Sequence, residues 1–513
     1  MTATTERTGP ARPDRPRAGH GRPARRRRAV PSWLGALGWA ALGAIVVAVF
    51  IPTMVIEPML PVLGAMGLAL LLVAAFLPRA FALIALATIV LSVPLQGALG
   101  PVGRNADELV VMVALVAFTA RRFVTERRIV GLPGWPWFAV FAVAGVASSL
   151  LREIPGEVWS EGLLLAVKGL LFAFALAQVE WRDRDLRVLV RAGVVAIVLL
   201  ALTAVGNLVM PVQWATTFTG RPPVDYYGGI PSLSGPFQHP AAFGRLAAVF
   251  AVAVFAYRYA VRSSAWNAVL LVLSAGMALL TFRVKSLVGL IAAIGALALR
   301  FARPNLIWVV LAFGPLLALV LVPPLLEFVG ADVDLYLVED SARGTITMGS
   351  LDVAAGYFPF GAGFGRYGSF TASEVYSPEY VIRGFDHIYG LGRGADGRFL
   401  NDTQWPAIIG ETGWVGTIGF AIGVAVAGWS LLRPVAGESS LVRWVRLCGV
   451  GWLVLLITES IAAPVFGSAP AYPFVFGAVG VIASIRRSKS APAAIDLEPG
   501  SAFGQGRSPG PIA

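Results

Sequence analysis

RVLVRAGVVAIVLLALTAVGNLVM, Arg187–Met210, carries its charge at one end, in Arg187 and Arg191, and then runs apolar to its last turn. Written as an α-helix, rising about 1.5 Å per residue, it is long enough to cross a hydrocarbon core of about 30 Å. Runs of the same kind lie on both sides of it. They fall at about 33–54, 59–78, 80–98, 107–120, 132–151, 162–179, 187–210, 241–257, 266–282, 284–302, 305–328, 405–432, 441–462 and 467–485. The run at 107–120 is short for a span, so the pattern predicts an all-α polytopic membrane protein with about 12–14 transmembrane helices. Composition agrees: 57% of the 513 residues are apolar and only 14% charged, with mean hydropathy +0.74. A water-soluble chain of this size needs far more polar surface.

The formal net charge of +12 is unevenly placed and sets topology; it is not a nucleic-acid footprint. With the N-terminus inside, the cytosolic loops hold Arg79, then Arg121, Arg122, Arg127 and Arg128, then Arg182, Arg184 and Arg187. Arg258, Arg262, Arg300, Arg303, Arg433, Arg443, Arg446, Arg486, Arg487 and Lys489 continue the series, and the alternate loops are poor in arginine. The positive-inside rule then places both termini in the cytosol and residues 211–240, 282–286 and 329–405 on the outer side. Residues 1–30, ending in RPARRRR, read as a disordered basic cytosolic arm whose arginines touch anionic lipid. Residues 31–485 read as the transmembrane domain, with 329–405 as a large extracytoplasmic loop within it, and 486–513 as a disordered cytosolic tail. No internal repeat is evident, which disfavours inverted-repeat transporters. The single cysteine, Cys448, lies in an apolar run, and the three histidines, His20, His239 and His387, are scattered. Neither a disulfide framework nor a zinc centre is indicated.

Three outer patches break the charge rule. They are RPPVDYYGGIPSLSGPFQHPAAFGR (Arg221–Arg245), TFRVKSLVG (Thr281–Gly289) with Arg283 and Lys285, and the long loop with Arg343 and Arg366. Cations are rare on this face, so an anionic substrate is the simplest reason for them: guanidinium grips phosphate oxygens as a fork, and lysine adds a point charge. Each residue also has a plainer reading. Arg366, Arg383, Arg393 and Arg398 read as solvated or salt-bridged loop charges. Asp402 reads equally as the cap of the helix starting near Trp405 and as a base, and His239 before Pro240 reads as a helix start. Lys168 and Arg245 lie near helix ends, where they snorkel. Glu459 is an intramembrane carboxylate without an assigned partner. Gly361–Gly368 reads as a flexible turn; no Gly-Lys-Ser follows it, so it is not a nucleotide loop. Tyr226, Tyr227, Tyr357, Tyr367 and Trp405 read as sugar-stacking or as interfacial anchors.

These segments resemble the O-antigen ligase/polymerase superfamily. GPFQHPAAFGR with LLTFRVKSLVGL is similar to its G-x-F-x-N-P-N and T-x-S-R/K-x-x-L-x-G elements. ARGTITMGSLDVAAGYFPFGAGFGRYGSF resembles the R-x-x-x-W…P-x-x-G-x-G-x-G-x-F element, and NDTQWPAIIGETGWVG the element H-N-x-Y-L-x-x-x-x-E-x-G-x-x-G or D-N-x-Y. Each motif alone is loose; order, spacing and membrane side agree across about residues 190–430. The resemblance implies a GT-C-like membrane glycosyltransferase in the cytoplasmic membrane, working without a metal or other cofactor. It would move glycan from an undecaprenyl-diphosphate-linked oligosaccharide donor to a glycan or lipid acceptor outside the cytosol. Carried over by motif, Lys285 with Arg283 beside it, and Arg343, bind the diphosphate. Asp402 stands where ligases have their histidine base, and His239-Pro240 replaces Asn-Pro, which points to the polymerase branch and puts a histidine base in doubt. The base is then Asp402, or His387 carried in by loop closure. Arg221, His239, Arg245 and Arg366 complete the substrate contacts, and Glu411 orients an arginine. The competing classes are a transporter or flippase of an anionic amphiphile, using Lys168, Arg245, Glu411 and Glu459 as a path, and a non-catalytic subunit of polysaccharide export.

Overall fold

A computed structural model describes residues 59–100, 103, 105–219, 224–227, 229–301, 341–394 and 397–490. The predicted arm, the runs at 33–54 and 305–328, Arg221 and the end of the tail lie outside the described residues. The chain divides into two units, 1–64 and 65–513, and only Met59–Gly64 of the first is described.

Helices dominate. In chain order they are α1 (Met59–Phe76), α2 (Pro78–Val90), α3 (Ser92–Leu99), α4 (Ala106–Glu126), α5 (Trp135–Leu151), α6 (Gly156–Ala177) and α7 (Asp183–Val209). A short turn, Pro211–Trp214, and a π-helical turn, Ala215–Thr219, lead to a two-residue hairpin pairing Tyr226 with Pro231. Then come α8 (Pro240–Ala260), α9 (Ala265–Leu279), α10 (Val284–Phe301), α11 (Ala342–Gly356), the one-turn α12 (Phe370–Glu374) and α13 (Pro378–Ile382), α14 (Trp405–Leu432), α15 (Ser440–Glu459) and α16 (Tyr472–Ser490). Among the described residues, α6, α7, α8, α14 and α15 are long and apolar enough to cross a membrane. This is a helical membrane protein.

Several expected boundaries are corrected. The run at 80–98 is two helices, because the peptide plane turns at Leu91 and Pro94 withholds an N–H in the first turn of α3. The run at 107–120 is a 21-residue helix; its basic last turns hid its length. There Arg121 and Arg122 donate to the carbonyls of Ala75 and Gln178 on neighbouring segments. The tail is not disordered from 486: α16 continues to Ser490, and Arg486 donates to the Ser430 and Arg433 carbonyls. Helix starts follow local chemistry, with Ser264 and Ser439 accepting from the Asn267 and Val442 N–H groups.

The main core is one apolar cluster shared by α1, α2, α4–α10 and α14–α16, with Phe118, Phe172, Phe243, Phe250, Leu447 and Phe476 among its buried members. α14 packs along α5. A Cβ at Gly419 would sit 2.9 Å from the Trp137 carbonyl oxygen, so small residues set the closeness of that pair, as in membrane bundles generally.

The polar interval between α10 and α14 is folded over its described part. Ile346, Val353, Tyr367, Tyr376, Tyr380, Phe385, Leu391 and Leu400 form a second core. Tyr380 stacks on Phe385 at 5.8 Å and meets Tyr376 edge-on at 5.4 Å.

Candidate functional site

The glycine run belongs to that insert, and it is not a flexible turn. α14 breaks at Gly413 (φ 59°), which frees backbone groups inside the protein, and the run supplies their partners. Ala362 and Gly363 donate to the carbonyls of Gly410 and Glu411 at 2.8 and 2.9 Å. Gly361, Gly363, Gly365 and Gly368 all have positive φ, from 69° to 93°, conformations that side chains resist. This alternation turns successive N–H groups inward as a nest. Glu411 fills it: its Oε1 accepts from the N–H groups of Arg366 and Tyr367 at 3.0 and 3.3 Å and from the Ser369 hydroxyl at 2.5 Å. The expectation that Glu411 orients an arginine is therefore corrected. Its partners are backbone amides, because a fully enclosed carboxylate finds them nearer than any guanidinium.

This latch places α11 and the strand of chain before α14. Arg343 lies in the first turn of α11 behind its cap Ser341, whose hydroxyl accepts from Gly344 N–H. Its Nε donates to Asp402 Oδ2 at 2.9 Å, and its Nη2 donates to the same oxygen. Asp402 does not cap α14: Gln404 occupies the cap position without capping the helix, its side chain accepting from Phe466 N–H instead. The carboxylate is drawn instead to the guanidinium, whose positive charge would otherwise oppose the positive end of the α11 dipole.

The membrane helices bring the other half. The segment before α8 is sewn to the α9–α10 turn by Leu233 N–H to the Leu280 carbonyl at 3.0 Å and Ser232 Oγ to the Thr281 carbonyl at 2.8 Å. Asn207 Oδ1 holds Ser234 N–H at 2.7 Å from the other side. A Cβ at Gly244 would lie 2.7 Å from Thr281 Oγ1, and one at Gly289 would lie 3.3 Å from Glu459 Cγ. Those two glycines let α8 and α15 approach α10. Arg245 and Glu459 consequently meet as a buried ion pair, both less than a tenth exposed. Lys285 donates to the Ala462 carbonyl at 2.9 Å, and the charges acting on its ammonium are Asp402, Arg245, Glu459 and Arg343. Three cations and two carboxylates from five separate segments are thus gathered at one place.

Other expectations change. Arg245 does not snorkel, because Glu459 neutralises it in place. Lys168 does not either: it donates to Asp107 at 2.8 Å and Glu108 at 2.6 Å, away from water. Arg283 is held by Asp225 at 2.7 Å, so the hairpin contributes Lys285 to the cluster while Arg283 ties down the preceding loop. His239 starts α8, its Nδ1 accepting from Ala241 N–H at 3.1 Å. His387 stands exposed with Nε2 3.7 Å from Asp386, and it is not among the charges around Lys285. Arg383 is bound to Glu379, while the Arg366 side chain is half-buried and forms no hydrogen bond or ion pair among the described residues. Tyr367 is fully buried and unavailable for stacking, Tyr227 lies on Phe282, and the indole of Trp405 donates to Ser460. Hydrogen bonding to Glu379, then burial, raises the Tyr357 phenol above its ordinary range, so it remains a donor. Glu459 was legible only as an isolated intramembrane carboxylate; its depth was the one signal of a site role.

Among the described residues no group of three or more His, Cys, Asp or Glu side chains is arranged to hold a metal ion. No protein-family model matches the chain, and no curated protein matches it.

Proposed function

We propose that this protein is a lipid-diphosphate-dependent glycosyltransferase of the O-antigen ligase/polymerase kind, GT-C-like in architecture. It transfers or polymerises glycan from an undecaprenyl-diphosphate-linked donor onto an acceptor hydroxyl at the outer face of the cytoplasmic membrane. The observation that carries this reading is the convergence of Arg245, Lys285 and Arg343 on Asp402 and Glu459. Cations outnumber carboxylates there, inside a helical membrane protein, and a bound diphosphate balances the remainder. Uncompensated charge at such depth is costly without a ligand to pair it.

A glycosyl diphosphate carries its leaving group with it, so the protein needs a base and stabilisation of departing negative charge. Nε and Nη2 of Arg343 both donate to Oδ2 of Asp402, and Oδ1 takes the acceptor proton. The acceptor oxygen then bonds to the anomeric carbon as the bond from that carbon to the phosphate oxygen breaks. The electron pair leaves with the diphosphate, against Lys285 and Arg245. One displacement inverts the anomeric configuration. The charges that a transporter would string along a path are paired off separately: Lys168 with Asp107 and Glu108, Arg245 with Glu459, Glu411 with the glycine nest. That separation favours one-sided chemistry.

The test uses purified full-length protein in detergent with lipid-diphosphate oligosaccharide, with and without chelator. Glycan transfer that is unaffected by EDTA and lost in Arg343→Ala and Asp402→Asn, but kept in Arg383→Ala, supports the reading. Absence of product from the unaltered protein, together with movement of the lipid across liposomes, overturns it.

A further inference from the structure

The loop between α13 and α14, HIYGLGRGADGRFLND (His387–Asp402), carries two aromatic rings, Tyr389 and Phe399, that the chemistry above leaves unused. Gly390 has φ 82°, and a Cβ there would fall 2.2 Å from the Phe399 ring. Only glycine lets that ring lie across the backbone, and Phe399 N–H closes the contact on the Gly390 carbonyl at 3.0 Å. The Arg343 guanidinium sits 4.6 Å from the centre of the same ring, within cation–π range. Tyr389 meets Phe399 edge-on, with centres 6.4 Å apart, and Arg398 approaches the Tyr389 ring at 6.0 Å. The rings therefore step outward from Asp402 by way of Arg343.

Tyr389 is 72% exposed, and the other described tyrosines of the insert are occupied. Tyr367, Tyr376 and Tyr380 are buried in its core, and Tyr357 lies under the Arg152 guanidinium at 3.8 Å with its hydroxyl given to Glu379. An exposed ring on a pinned backbone, flanked by a guanidinium, suits a pyranose. The ring offers a flat apolar face to C–H groups, while the phenol and the arginine bond to hydroxyls. The hydroxyl that gives its proton to Asp402 belongs to the acceptor, and the platform leads away from that carboxylate.

We propose that Tyr389, backed by Phe399 and flanked by Arg398, is the subsite that holds a sugar ring of the acceptor glycan; this rests on the transferase reading. The experiment uses full-length protein in detergent. The donor is polyprenyl-diphosphate oligosaccharide extracted from the host cell, and the soluble acceptor is the same glycan released from its lipid. In Tyr389→Ala the acceptor KM rises about tenfold, the worth of one aromatic contact, while donor KM, kcat and melting temperature stay put; Tyr389→Trp restores the acceptor KM. An unmoved acceptor KM in Tyr389→Ala, with transfer by the unaltered protein intact, overturns the subsite alone. Equal rescue by Tyr389→Leu makes the residue an apolar membrane anchor and also overturns it. No transfer by the unaltered protein overturns the transferase reading and the subsite with it.

Discussion

Two of the buried charge clusters among the described residues are built on opposite plans. Lys168, Asp107 and Glu108 come from two adjacent helices, α4 and α6, and close on one another at 2.6–2.8 Å. Carboxylates are in excess, and Tyr472 lies over the ammonium with 5.6 Å from Nζ to the ring centre. Arg245, Lys285, Arg343, Asp402 and Glu459 come from five segments, cations are in excess, and Asp402 keeps a quarter of its side chain exposed. The first cluster fastens helices to each other. The second is left with unspent positive charge and an accessible carboxylate, which is what an anionic substrate and a proton transfer require. Charge at depth is therefore not by itself a functional sign; the sign of the residual charge separates the two.

The comparison breaks most sharply at Asp402. Asp402→Asn keeps the shape but leaves the buried Arg343 without its counter-charge, so some melting temperature is lost, and transfer per folded molecule is expected to fall about 10²–10⁴-fold; a rate within a factor of three of the unaltered protein would remove the base assignment. The converse holds at the closed cluster. Lys168→Met leaves the buried Asp107 and the partly exposed Glu108 without a counter-charge and is expected to cost about 3–5 kcal/mol of stability, read as a lower melting temperature in detergent. Adding Asp107→Asn and Glu108→Gln should restore most of it, and the rate per folded molecule should not follow. Between them lies the latch. A Cβ at Gly413 would stand 2.4 Å from the Gly361 nitrogen in a left-handed conformation, so Gly413→Ala should cost about 1–3 kcal/mol and loosen the insert, visible as faster hydrogen exchange at residues 361–368. The smallest effect is expected at Arg283→Ala. Its pairing with Asp225 is partly solvated and should be worth under about 1 kcal/mol; a larger loss would move Arg283 from fastening the loop into the site.

Much of this was legible. Lys285 and Arg343 stand out because they are cations where a topology rule expects few, and Asp402 because of the motif it resembles; Arg343 and Asp402 pair, and both act on Lys285. Arg245 and Glu459 were visible as buried charges but not as a pair, since 214 residues separate them and no spacing rule reaches that far. His387 was singled out as a titrating group; its exposed position on the insert follows from the packing of Tyr380 and Phe385 beneath the loop. Tyr389 was passed over because an aromatic in a Gly-rich loop has no signature of exposure. Glu411 was read toward arginine because its true partners are backbone amides, which a sequence does not distinguish from any others.

Apolar runs near the thickness of a bilayer made this a helical membrane protein from sequence alone, because hydrocarbon tolerates only backbone that satisfies itself. The same reasoning put its polar interval late in the chain. Tertiary structure decided what that interval is over its described residues: a folded insert fixed by Glu411 in a glycine nest. It also decided which arginines are already paired and which charges meet. Those outcomes depend on close approach between distant segments, at Gly244, Gly289 and Gly413 above all, and a missing side chain reveals its neighbour only when the chain is folded.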